Sequence, residues 1–338
     1  MVKKQKGGLF DRSKTVKPVQ SIKYDLDNLQ LVGEGGFGVV AMLNLPSEKL
    51  AIKFIKTTSL CRSAQMEATI HNEVYQSFIE LGSLVPDGHV PDGNVPQYPV
   101  YQILHIPKPL AFTTIKPTEL KIGSRLFTTS CYYVMEYMEP INIGANLYEG
   151  QPIQLHVVAT KSPTLLPDDP YRGYFIGVGQ LDNLLNHLKE IYPNISRPIS
   201  SRQIFEAIGI ACGCAIFGSG YNPKDFQFMI SRYDNQFKLI AFDFGMFEKI
   251  DNYHHDIMDA ISDDLMYSPY IGLHMTDDID SAFRFLLGMA TTVKPLIKLY
   301  GANCPEQTGF LFIVNYFIDN LIGLGQYYDR ITQHLSKI

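Results

Sequence analysis

Gly33, Gly35 and Gly38 stand in the run Gly33-Glu34-Gly35-Gly36-Phe37-Gly38-Val39-Val40, a G-x-G-x-x-G spacing. Glycines at such a turn let the backbone fold closely over phosphate groups, because no Cβ stands in the way. A dinucleotide-binding turn shares the spacing, but it opens a helix inside a βαβ unit. Here a strand pattern follows, so the turn joins two strands. Ala51-Ile52-Lys53 falls on the next strand, fifteen residues past Gly38, where an ammonium can reach the α- and β-phosphates. Glu73 comes twenty residues later, mid-helix, with apolar neighbours at i−3, i+1 and i+5. That pattern packs the helix on the sheet and points Glu73 at Lys53; Glu67 is the second candidate for the pair. Each feature alone also has a plain reading, a glycine-rich hairpin or a solvated edge lysine.

The secondary structure around these residues follows from periodicity. Residues 29–32, 39–45 and 50–55 read as strands, with Pro46-Ser47-Glu48 as a bend. Ile70, Val74, Phe78 and Leu81 recur at i, i+4, i+8 and i+11, which predicts a helix over 63–81. A Pro/Gly loop with a short internal echo occupies 85–93. Strand patterns return at 98–105, 110–114, 119–129 and 132–138, and 141–160 read as a hairpin around Glu149-Gly150. Helices are predicted over 181–191 and 202–217, strands over 226–231 and 237–242 joined at Tyr233-Asp234-Asn235, and helix again from about 256. A β-rich first part and a mostly helical second part argue α+β and not a parallel βαβ sheet.

Two further segments complete a pattern. Val134-Met135-Glu136-Tyr137-Met138 follows a strand, and Phe242-Asp243-Phe244-Gly245 follows a β-hairpin. In order and spacing, these features together resemble the protein kinase superfamily over residues 24–250. The resemblance implies a bilobal kinase-like fold with a β-rich N-lobe carrying one helix and a reduced, mostly helical C-lobe. The expected division is a basic tail at 1–23, an N-lobe at 24–139 and a C-lobe at 140–338. It further implies ATP with Mg²⁺ (or Mn²⁺) as cofactors. Gly33, Gly35, Gly38, Lys53 and Glu73 would serve the phosphates, the backbone of Glu136 and Met138 the adenine edge, and Asp243 the metal.

The catalytic loop departs from that family. The usual H-R-D-x-K-x-x-N becomes Gly220-Tyr221-Asn222-Pro223-Lys224-Asp225-Phe226-Gln227. Asn222 takes the place of the proton-accepting Asp, Lys224 falls on the expected Lys, and Gln227 replaces the metal-binding Asn. Asparagine has no basic carboxylate but can orient a hydroxyl, and Gln227 keeps a carbonyl oxygen for metal. Asp225 is the segment's only carboxylate and is either a stand-in base or a turn residue. More distantly, this loop with residues 226–230 is similar to a divergent kinase-like family of fungi and bacterial effectors. No A-P-E segment follows Gly245, and Tyr267-Ser268-Pro269 is the candidate end of a short activation segment. His254-His255 reads as a solvated face.

The implied activity is an atypical ATP- and Mg-dependent protein kinase acting on protein Ser/Thr. The alternative is a pseudokinase, a nucleotide-binding scaffold or regulator; a third is transfer of another group or phosphorylation of a small molecule. Composition sets the remaining bounds. The chain has 338 residues, 46% hydrophobic and 19% charged, enough for a sizeable core. A net charge of −5 argues against a general nucleic-acid binder. Residues 1–23 hold seven Lys/Arg against one Asp, which suggests a solvated tail or a contact for an inositol phosphate or phosphoinositide. The five Cys lack C-x-x-C spacing, and Cys212 and Cys214, in an apolar helical stretch, read as free core thiols of a reducing compartment. With no apolar run near ~20 residues and no apolar stretch after the basic start, the expectation is a soluble, intracellular, cytoplasmic protein. Delivery as a bacterial effector into a host cell stays open, and a protein substrate or partner is implied by the resemblance.

Overall fold

The computed structural model describes residues 24, 26, 29–84, 100–141, 147–148, 151–152, 155–158, 174–195, 199–233, 235–267 and 279–336. The basic tail, the echo at 85–93, Glu149-Gly150 and Ser268-Pro269 lie outside them.

The first sheet is antiparallel throughout, in the order β1-β2-β3-β6-β5. Its strands are β1 (Leu29–Glu34), β2 (Gly38–Asn44), β3 (Lys49–Ile55), β5 (Pro109–Ile122) and β6 (Arg125–Glu136). Side chains alternate across a strand, so the sheet carries two apolar faces. Leu50, Ile52, Phe54, Tyr132 and Val134 join Val39, Ala41 and Leu43 in one cluster. Ile55, Phe112, Cys131 and Tyr133 form the other, with Ala64 and Ala68 of helix α1 (Cys61–Leu84). Lys53, in step with Ile55, shares the face that α1 covers. The strand expected over 119–129 is interrupted: Gly123 has φ 59, and the chain reverses at Gly123-Ser124 from β5 into β6. A glycine that accepts the left-handed region makes a two-residue hairpin turn there.

α1 is two-sided. Its small residues Ala64 and Ala68 lie on the sheet, while Ile70, Val74, Phe78 and Leu81 belong to the large core of the helical part. A second sheet runs β11-β10-β13-β14-β4, with β7 (Glu139–Pro140) also on β13. Its strands are β4 (Leu104–His105), β10 (Leu155–Val158), β11 (Tyr174–Gly177), β13 (Gln227–Tyr233) and β14 (Gln236–Phe242). The short pair β8 (Leu147–Tyr148) and β9 (Gln151–Pro152) flanks the expected hairpin turn. Mixed α and β content with antiparallel strands agrees with the α+β reading.

The helices are α2 (Val178–Ile191), α3 (Ser201–Gly213), α4 (His255–Tyr267), α5 (Ile279–Tyr300), α6 (Pro305–Asn320) and α7 (Tyr328–Ser336). Ser200 and Gln203 form a reciprocal cap at the start of α3. α3 ends in a π-helical turn, Cys214–Ser219, and Gly220 at φ 69 then turns the chain into β12 (Tyr221–Asn222). β12 pairs with β15 (Glu248–Lys249). Among the described residues no helix is long and apolar enough to cross a membrane. The expected free thiols Cys212 and Cys214 are free and buried, but a disulfide was not foreseen. Cys61 and Cys131 form a disulfide, because the start of α1 lies directly on β6, while Cys212, Cys214 and Cys304 are free and buried.

Candidate active site

Lys53 meets a carboxylate, but the partner is Glu67 and not Glu73. Its Nζ donates to Glu67 Oε1 at 2.6 Å and Oε2 at 2.9 Å. Both side chains are largely buried. At Lys53, burial opposes the charge, but the Glu67 and Asp243 carboxylates outweigh it and raise the ammonium's pKa. At Glu67, burial, with Asp243 adding to it, lifts the carboxyl despite Lys53. Glu67 faces the sheet because its neighbours on that side, Ala64 and Ala68, are small enough to let the helix sit down. Glu73 lies beside the large apolar stripe and points the other way. It accepts from Tyr221 Oη at 2.8 Å, with Lys249 Nζ 3.6 Å away, and so ties α1 to β12 and β15.

The glycine-rich turn closes with Gly35 N–H donating to Gly38 C=O at 2.9 Å. Glu34 is braced by Lys56 at 2.5 Å and Arg125 at 2.9 Å, and Lys56 also reaches Gly35 C=O. Gly33 sits at an irregularity in the β1–β2 register. A Cβ on Gly38 would stand 2.5 Å from the Phe54 carbonyl oxygen, so that glycine serves the close approach of β2 and β3. Gly35 and Gly36 have open space around a Cβ position, and Phe37 projects from the tip.

Asp243 and Asp225 are both non-glycine residues in the left-handed region, with φ 64 and 57. Such backbone is held only where surrounding structure enforces it, and it gathers at functional sites. Asp243 acts electrostatically on both Lys53 and Glu67. Gln227 Nε2 donates to Asp243 Oδ2 at 3.1 Å, which leaves the Gln227 amide oxygen as an acceptor. Partial burial, then the charge of Asp243, raises the pKa of Asp225. Phe244, the next residue, is buried between His71, with ring centroids 4.2 Å apart, and the rings of Phe226 and Phe247. Among the described residues no three His, Cys, Asp or Glu gather as a metal cluster. Asp243, Asp225 and the Gln227 oxygen are a hard oxygen set. Two neighbouring carboxylates whose like charges repel suit a cation such as Mg²⁺, which typically takes one or two carboxylates plus phosphate oxygens.

Asn222 and Lys224 turn towards α4. Asn222 Nδ2 donates to Asp264 Oδ2 at 2.6 Å, and Lys224 Nζ lies 2.9 Å from Glu248 and 3.7 Å from Asp264. Asn222 is 5% exposed, and its Oδ1 is buried without a partner among the described residues. Asp264 has no motif around it and was not legible as a site residue: only the fold brings α4 to the loop. In the expected adenine-edge segment, Glu136 N–H is spent on the Lys108 carbonyl at 3.0 Å. The Glu136 side chain latches His105 at 2.8 Å and the Lys108 N–H at 3.0 Å. Its amide is therefore not open to a ligand, and Met138 follows, buried. His255 is exposed and bonded within α4 to Asp259, a solvated face as read.

No family model matches the chain, and no curated protein sequence matches it. Among solved structures it is similar to one entitled "WaaP in complex with acyl carrier protein", at 12% identity and TM-score 0.36, over 95% of this chain and 91% of that one. An overlap of that quality carries no argument about activity.

Proposed function

We propose that the chain is a kinase-type phosphotransferase with ATP as the phosphoryl donor, built as an N-lobe of 24–139 and a C-lobe of 140–338. The observation that carries the reading is the buried Lys53–Glu67 pair with Asp243 beside it, on the sheet face next to the glycine-rich turn. An ammonium fixed by a carboxylate is oriented to hold α- and β-phosphate oxygens, and phosphoryl transfer depends mostly on such positioning and charge. Asp243, the Gln227 oxygen and Asp225 would hold Mg²⁺ or Mn²⁺, which supplies positive charge against the β- and γ-phosphates. In the transfer an acceptor hydroxyl oxygen bonds to the γ-phosphorus, the bond to the bridging oxygen breaks, and ADP departs with that electron pair. A protein Ser/Thr is the acceptor implied by the resemblance.

Incubation with γ-labelled ATP and Mg²⁺, with casein and the chain itself as acceptors, tests this reading. Label should appear on protein with the parent and disappear with Asp243→Asn and Lys53→Ala, both still folded by circular dichroism. ATP affinity that is the same with and without Mg²⁺, and no transfer, would remove it. A second reading, a nucleotide-binding scaffold, is favoured by Asn222, which supplies no carboxylate; it expects ATP binding without label on any acceptor.

A further inference from the structure

An acceptor hydroxyl must lose its proton, and Asn222 cannot take it. The amide of Asn222 is turned with its nitrogen towards Asp264, since a carboxylate only accepts, and its oxygen is buried. Asp264 is different: its side chain keeps 33% of its exposure, and Asn222 and Lys224 both approach the same oxygen, Oδ2. Among the described residues Oδ1 takes no hydrogen bond. Asp264 is held there from two sides. Met258, Ile261 and Leu265 bury the inner stripe of α4, and Asp263 accepts from Tyr316 of α6. Asp225, the loop's own carboxylate, lies under the charge of Asp243, among the residues that would hold a metal.

We propose that Asp264 supplies the carboxylate missing from the catalytic loop and is the proton acceptor of the transfer. This rests on the phosphotransferase reading. As the acceptor oxygen bonds to the γ-phosphorus and the bond to ADP breaks, the hydroxyl proton passes to Asp264 Oδ1. Asn222 and Lys224 hold the other oxygen, so the carboxylate is fixed in orientation through the step. The role sits on a helix beyond the usual motif, and the hydrogen bond to Asn222 takes the loop's amide as its anchor.

The test separates a proton acceptor from a structural acceptor. Asp264→Asn keeps an amide oxygen for Asn222 but no basic carboxylate. The expected result is a loss of about 10²–10⁴-fold in kcat, the usual worth of a positioned base. The KM for ATP should stay within about twofold, since binding is not the step removed. The double variant Asn222→Asp with Asp264→Asn moves the carboxylate across the same hydrogen bond and should recover most of the rate. Asp259→Asn, on the exposed face of α4, should match the parent. A single Asp264→Asn that transfers at the parent's rate overturns the inference and leaves the phosphotransferase reading standing. So does a double variant as slow as the single one. A parent that transfers no label to casein or to itself overturns both.

Discussion

His71 shows how much one side chain holds here. It is bonded to the Tyr133 hydroxyl, stacked on Phe244 and buried, and that burial lowers its pKa from 6.5 to about 3. The folded chain therefore keeps it neutral where the unfolded chain protonates it. Its share of stability is present above pH 6.5 and is lost as pH falls towards about 3. His71→Gln, which can still accept from Tyr133, should flatten the acid side of the stability curve by up to about 1.4 kcal/mol per pH unit, read from urea unfolding at each pH. The other acidic groups titrate in both proteins, so the difference isolates His71. The Lys53 pair gives a second expectation. Glu67→Gln should weaken ATP binding about tenfold or more, as loss of a charge-assisted bond does, whereas Glu73→Gln should leave it nearly unchanged. Equal losses would return Glu73 to the site. Lys53, Asp243 and the turn stood out in the sequence because each has a local motif, and the fold brings Lys53 and Asp243 together. Glu73 ranked over Glu67 there because the large apolar stripe lies beside it, and the side of α1 that touches the sheet is marked only by alanines.

Elements meet closely where glycine permits it. A Cβ on Gly209 of α3 would stand 2.0 Å from the Phe285 carbonyl oxygen of α5, and one on Gly288 would stand 2.0 Å from that of Glu206. The two helix backbones thus touch at a reciprocal pair of glycines, and α3 carries the π-helical turn that delivers Tyr221 and Asn222. Gly288→Ala should cost about 1–3 kcal/mol or more, as overpacking does, seen as a lower midpoint of thermal unfolding. An unchanged midpoint would mean that the helices separate at little expense. Most elements were legible because their periods are long and clean: α1, α3 and the β13–β14 hairpin fall within a few residues of expectation. The β5–β6 turn was missed because Gly123-Ser124 interrupts a run of strand-forming residues without Pro, Asn or Asp. The contact of α4 with the loop at 220–227 was not legible at all, since nothing in the acidic run marks Asp264 apart from Asp256, Asp259 or Asp263.

At the scale of the whole molecule, α1 is the element on which the parts converge. Its first residue is bridged to β6 through Cys61–Cys131, Glu67 reaches Lys53 on the sheet, and Glu73 reaches Tyr221 of β12. The bridge was not legible because a single cysteine at a helix start and another in a strand, 70 residues apart, share no spacing signature. It also removes the argument from thiols for a reducing compartment, since such bonds persist where conditions are oxidising. Closing a loop of that length constrains the unfolded chain, so reduction, or Cys61→Ser with Cys131→Ser, should cost about 2–4 kcal/mol in urea unfolding. The helix is held on the sheet independently by Ala64, Ala68 and His71, and so the reduced chain should keep the Lys53–Glu67 pair and its ATP affinity. A reduced chain that unfolds at the same urea concentration would show that the bridge adds nothing. One that keeps its stability midpoint but loses ATP would show that the bridge sets the position of α1 against Lys53, which is the opposite of what the packing of its alanine face requires.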